Sequence, residues 1–175
     1  MSFIIRNFKT MNKKIEKAIN GQINAEFYSA YLYLSMAAYL DSLKLPGFAN
    51  WMKVQAKEEM LHAMKFYDFV YAQGGTVALT AIDRPPVKFK SALDVAEQTL
   101  AHEKKVTGLI NGLYKLALEE KDHAFQSLLK WYIDEQVEEE ENATMLIDKA
   151  KLAGDKVQRL NMLDKELAGR KFKSE

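Results

Sequence analysis

The sequence predicts an all-α fold: a four-helix bundle with one long crossover connection and a short fifth helix at the C-terminus. Three features predict it. Apolar residues recur at helical spacing through four long segments. The breaks between those segments are short, long and short in turn, and the long one lets consecutive helices lie parallel. No segment alternates apolar and polar residues as a half-buried strand does.

The first helix is expected from Lys13 to Leu40, with Ile15, Ile19, Ile23, Phe27, Ala30 and Leu34 along one stripe, no proline and a tolerated Gly21. At 1.5 Å per residue it is roughly 40 Å long. Asn12 is placed to cap it. Residues 1–11 read as a leader or frayed N-terminus, with Met11 a candidate natural start, so the domain proper is residues 12–172.

Leu45-Pro46-Gly47 interrupts the pattern. A second helical run from Phe48 carries Trp51, Met52, Val54, Gln55, Leu61, Phe66, Phe69 and Val70, and stops at Gly74-Gly75. Residues 76–90 have no helical period and contain Arg84-Pro85-Pro86, which makes them an extended crossover rather than a tight turn.

Ser91 followed by Asp94 is a capping signature for a third helix through Leu93, Ala96, Leu100, Val106, Ile110, Leu113 and Leu116. After a polar corner at Glu119–Asp122, a fourth helix passes through Phe125, Leu128, Leu129, Tyr132, Val137, Met145 and Ile147 to about Gly154. A short amphipathic helix, Val157 to Leu167, completes the chain.

Composition narrows the function. A chain of 175 residues is one domain with a sizeable core. The formal charge of +1 creates no global field for nucleic acid or an anionic membrane, so neither is expected as a partner. There is no cysteine, which removes disulfides, thiolate zinc sites, iron-sulfur clusters and cysteine nucleophiles together. No apolar run is long enough to span a bilayer, and Phe3, Ile4 and Ile5 are too few for a signal-peptide core. A cytoplasmic location is expected.

The polar residues on the apolar stripes carry the chemistry. Glu59 and His62 lie three residues apart on one helix face, where a carboxylate and an imidazole can grip one metal ion. Taken alone the pair is weak, because an exposed Glu beside a partly buried His gives the same pattern. Glu26 falls among Ile23, Phe27, Ala30 and Leu34, with Tyr33 two turns on and nearly in line. A Glu that snorkels to solvent is the bland account of it. Glu103 lies between Leu100 and Val106. In the acidic run of the fourth helix, Gln136 and Glu139 share one face, while Glu135, Glu138 and Glu139 form an adjoining set that could extend a site outward.

If the four helices point their acids at one level, Glu26, Glu59, Glu103 and Glu139 converge inside the bundle. Uncompensated, that costs several kcal/mol per buried charge. Two divalent cations balance four carboxylates. The imidazole favours iron over calcium or magnesium, the mostly oxygen donors favour it over zinc, and manganese stays open.

At these residues the chain resembles the non-haem ferritins of bacteria and archaea. The resemblance runs from about Asn12 to Phe172 through Gln22-Ile23-Asn24-Ala25-Glu26, Tyr28-Ser29-Ala30-Tyr31-Leu32-Tyr33-Leu34-Ser35-Met36, Glu58-Glu59-Met60-Leu61-His62, Trp131-Tyr132 and Glu135-Gln136-Val137-Glu138-Glu139-Glu140. It implies a ferroxidase centre that oxidises Fe(II) with dioxygen or peroxide. Glu26, Glu59 and His62 resemble the ligands of a first iron, and Glu59, Glu103 and Glu139 those of a second, with Glu59 bridging. Gln136 resembles an amide near the second iron or bound oxygen, Tyr33 a neighbouring electron donor, and Glu58, Glu135 and Glu138 a third iron site. The resemblance also implies a homo-oligomeric shell of 24 subunits that stores ferric mineral.

Two other readings belong beside it. The haem-binding relatives carry Glu-x-x-His on both the second and the fourth helix, whereas the fourth-helix pair here is Gln136 and Glu139, so no haem is expected even though Met60 lies where their haem methionine falls. A helical scaffold without catalysis, its acids facing solvent, is the other alternative.

Overall fold

The computed structural model describes residues 10–154 and 156–172. Its elements are α1 (Lys13–Ser42), α2 (Pro46–Ala72), α3 (Ala92–Glu119), α4 (His123–Ala153) and α5 (Val157–Leu167). Among the described residues there is no strand, and no helix is long and apolar enough to cross a membrane. The four-helix bundle with one crossover and a short fifth helix is therefore the observed architecture.

Local chemistry accounts for the helix ends. Asn12 caps α1 by accepting from the Lys14 amide at 2.8 Å, Ser91 caps α3 through the Asp94 amide at 3.1 Å, and Asp122 caps α4 through the Phe125 amide at 3.0 Å. Pro46 opens α2 rather than merely ending α1, since a proline in the first turn sacrifices no helical hydrogen bond. The expected leader falls, for residues 1–9, outside the described residues; Met11 is buried against the base of the bundle.

The crossover runs along α1 and is pinned by its polar side chains. Asn20 donates to the Thr76 carbonyl at 3.0 Å and accepts from the Ala78 amide at 2.7 Å. Asn24 donates to the Ala81 carbonyl at 3.0 Å, and Ser35 to the Pro86 carbonyl at 2.6 Å. Tyr39 and Phe89 pack at 5.3 Å between ring centroids. The connection thus climbs the length of α1, so that α3 starts at the end of the bundle where α2 starts.

Two apolar clusters fill the interior. One gathers Met36, Leu40, Phe48, Met52, Val95 and Leu146; the other gathers Ile15, Ile19, Phe66, Ile110, Phe125 and Leu129. Each long helix carries one or more of its polar inward residues where it passes from one cluster to the other. That arrangement creates a single polar level inside the bundle.

Some stripe residues face outward instead. Leu34 (50% exposed), Leu61 (39%), Val137 (56%) and Met145 (47%) were expected on the buried face. The helical period marks a band wider than the neighbouring helices cover, and these residues sit on its flanks. The tail helix buries Leu163 and Leu167, while Met162 is exposed.

α5 closes the end of the bundle by capping α2. No side chain next to Pro46 caps that helix, and Asp164 does so from α5, its Oδ1 accepting from the Gly47 and Phe48 amides at 2.8 and 2.9 Å. A Cβ on Gly47 would lie 1.6 Å from the Asp164 carbonyl oxygen, so only glycine permits this approach. Asp164→Ala is expected to cost about 1–2 kcal/mol, read as a lower denaturation midpoint, with Asp164→Asn costing less because an acceptor remains. Equal stability of all three proteins would show that the cap contributes nothing.

Candidate metal centre

The polar level holds Glu26 from α1, Glu59 and His62 from α2, Glu103 from α3, and Gln136 and Glu139 from α4. All six are buried. A carboxylate oxygen of Glu26, one of Glu59 and a ring nitrogen of His62 lie within 4.8 Å of one another, and so do atoms of His62, Glu135 and Glu139. His62 belongs to both groups and joins the interior of the bundle to its opening.

Each acid is oriented by a neighbour. Gln22 donates to Glu26 at 2.9 Å from one turn below. Tyr33 donates its hydroxyl to Glu103, and Gln55 its amide to Glu139. Gln136 donates to Glu103 Oε2 at 3.3 Å and to the Glu103 carbonyl at 3.2 Å. His62 Nδ1 is 3.3 Å from Glu59 Oε2, and Trp131 and Tyr132 pack against the imidazole at 5.5 and 6.1 Å between ring centroids. The Tyr132 hydroxyl donates to the His62 backbone carbonyl at 2.6 Å, fixing α4 against α2 at this level.

The residues fit cations. Glu26 Oε2 is buried and has no hydrogen-bond partner among the described residues. Four carboxylates surrounded by so little compensating charge cannot all ionise in the metal-free chain. Burial pushes Glu26 up to about 7 and Glu139 up to about 8, and raises Glu59 and Glu103 as well, with the neighbouring acids adding to the effect. Burial lowers His62 to about 4, which leaves its imidazole neutral with a lone pair to offer. Oxygen donors with one neutral imidazole suit a first-row divalent ion.

Glu58, Glu135 and Glu138 line a cleft of about 680 Å³ that opens beside His62. They do not form one group. Glu135 Oε1 lies 3.8 Å from His62 Nε2, whereas Glu58 is held by Arg170 at 2.6 Å and Glu138 is exposed. Gln22, Gln55 and Arg170 belong to the site's surroundings but were absent from the sequence-derived set. Gln55 had a signal, being an amide within an apolar stripe, and Gln22 stood within the motif around Glu26. Arg170 had none, because it lies 112 residues from Glu58.

Proton linkage gives the centre a pH signature. Between the ordinary carboxylate value of 4.5 and the folded values of about 7 and 8, the folded chain keeps protons that the unfolded chain has released, so stability falls as pH rises. His62 acts oppositely and lower, costing stability as pH falls from 6.5 towards about 4. The metal-free protein is therefore expected to lose thermal stability as pH is raised from about 5 to about 8, and saturating Zn(II) to abolish the loss by replacing the protons. Metal-free stability that instead climbs through this interval would mean that the acids ionise without cost.

The chain is similar to known proteins in both sequence and fold. Residues 16–153 match the ferritin-like domain family. The bacterial non-heme ferritin of Staphylococcus saprophyticus is 43% identical over 162 residues, covering 93% of this chain and 97% of its own length. That of Bacteroides fragilis is 42% identical over 145 residues, covering 83% of this chain and 91% of its own. An engineered closed form of the Archaeoglobus fulgidus ferritin superposes with a TM-score of 0.92 at 49% identity, covering 94% of this chain and all of that one. The open-pore ferritin of the same archaeon gives 0.91 at 49% identity, covering 93% of this chain and all of that one. With four buried carboxylates and a histidine at one level of a crossover bundle, and relatives of this closeness along nearly its whole length, the chain belongs to the ferritin-like domain family.

Proposed function

We propose that the protein is an iron-storage ferroxidase whose substrate is Fe(II). The observation that carries the reading is the convergence of Glu26, Glu59, Glu103 and Glu139, all buried, beside a neutral His62. Four carboxylates at one level can all be ionised at neutral pH only with about four positive charges among them, and two divalent ions supply these. The likeness to proteins named bacterial non-heme ferritin supports iron as the metal.

In this reading Glu26, Glu59 and His62 hold one Fe(II), and Glu59, Glu103 and Glu139 the other. Glu59 is the shared ligand. Two Fe(II) supply the two electrons that take dioxygen to the peroxide level, and the chain's part is to hold both ions in place, its carboxylates releasing their protons as the ions bind. Gln136, hydrogen-bonded to Glu103, stands where a second bridging acid would hold the product more tightly, so ferric iron leaves readily. Tyr33, whose hydroxyl donates to Glu103, gives an additional electron in this reading. Glu58, Glu135 and Glu138 receive iron on its way out.

The stored form is a ferric mineral inside a 24-subunit shell in the cytoplasm, built from residues 12–172. Exposed apolar residues support assembly: Tyr31, Leu34 and Met60 line one outer groove with Ile82 from the crossover. The balanced charge and the absence of cysteine suit a soluble metal store.

Stopped-flow mixing of Fe(II) under air, at two irons per chain, tests the reading. Oxidation is expected to run well ahead of the buffer reaction and to saturate at two irons. Glu59→Ala and His62→Ala should each slow the initial phase by at least about tenfold, the loss from removing one ligand group. Tyr33→Phe should spare that phase and alter later turnovers. Unchanged kinetics in both ligand variants would sink the assignment and leave a scaffold.

A further inference from the structure

After α5 the chain turns back along α2. Asn50 donates to the Arg170 carbonyl at 3.0 Å and so fixes the tail against that helix. The Arg170 guanidinium lies over the Trp51 ring at 4.2 Å, donates through Nη1 to Gln55 Oε1 at 2.7 Å, and donates through Nη2 to Glu58 Oε2 at 2.6 Å. Trp51, Gln55 and Glu58 are spaced by four and three residues, so one stripe of α2 receives the whole side chain. Gln55 in turn gives its amide to Glu139.

This is a built arrangement rather than a chance surface pair. Arg170 and Glu58 are both largely covered, with side chains 19% and 21% exposed. The two arms of the fork go to two different partners, a geometry that an ammonium group does not reproduce. The same cleft is lined by Glu135, Glu138 and His62, so the guanidinium stands among the acids of the outer site.

We propose that Arg170 is the resident cation of the outer metal site, occupying Glu58 so that a third metal ion binds there only by displacing it. The inference rests on the dinuclear reading above and deepens it. A divalent ion arriving at Glu58 must break the Arg170 pair and then sit beside a displaced positive charge. The outer site therefore holds metal weakly and hands it on, while the inner pair, with its compensating cations, stays occupied. Because Arg170 belongs to the segment that follows α5, the docking of that segment sets the affinity of the outer site.

The test is anaerobic calorimetric titration of the assembled protein with Zn(II), which binds without being oxidised. Wild type is expected to take two ions per chain tightly and a third weakly. Arg170→Gln should tighten the third about tenfold, the effect of removing one opposing charge at close range. Arg170→Lys should keep the third ion weak, since the positive charge remains. Combined with Glu58→Gln, Arg170→Gln should produce no further change in the third ion.

An unchanged third ion in Arg170→Gln, or an equal gain with and without Glu58, would overturn the proposal. A general loss of fold in Arg170→Gln would appear as a lower melting temperature, and Arg170→Met, whose unbranched stem can still pack over Trp51, then carries the test with the same expected tightening. No tight Zn(II) in any of these proteins would remove the dinuclear reading itself, and the role of Arg170 with it.

Discussion

The burial of four carboxylates at one level of a helical bundle is the constraint on which the rest of the structure depends. Each ion taken out of water costs several kcal/mol, and packing alone does not return it. The chain meets that cost in two ways. Gln22, Gln55, Tyr33 and Gln136 give directed hydrogen bonds to acids, and protons remain on the carboxylates when cations are absent. Such a cluster could hold cations, and the neutral imidazole of His62 is a donor suited to a first-row divalent ion.

The frame around the centre keeps that level in register. Four helices from distant parts of the chain must present their acids at one height, and a slip of one residue would turn a carboxylate by about 100° away from the interior. Two apolar clusters, one above and one below, lock the helices against such a slip. The crossover is laced to α1 by Asn20, Asn24 and Ser35, which fixes where α3 begins and therefore the height of Glu103. Tyr132 ties α4 to the backbone of His62.

The C-terminal segment connects this frame to the chemistry. Asp164 caps α2, and six residues later Arg170 reaches the middle of the same helix. One short segment thus holds both the start of α2 and the stripe beside Glu59 and His62. The glycine at position 47 belongs to this arrangement, since any side chain there would push α5 away and take Arg170 with it.

Much of this was legible in the residues themselves. Helical period, caps at Asn12 and Ser91, the polar corner at Glu119–Asp122 and the break around Pro85-Pro86 determined four helices, one crossover and a short tail, because each is a local preference of the backbone. Glu26, Glu59, His62, Glu103 and Glu139 showed as polar residues on or beside apolar stripes, a pattern that a snorkelling acid or an incidental histidine also gives, and the resemblance to the non-haem ferritins singled them out as one set. The tertiary structure decided the rest. It determined that Leu34, Leu61, Val137 and Met145 face outward, because the width of a covered band depends on where neighbouring helices lie. It also brought Asp164 to Gly47 and Arg170 to Glu58 across more than a hundred residues, contacts that come from packing and leave no periodic trace in the chain.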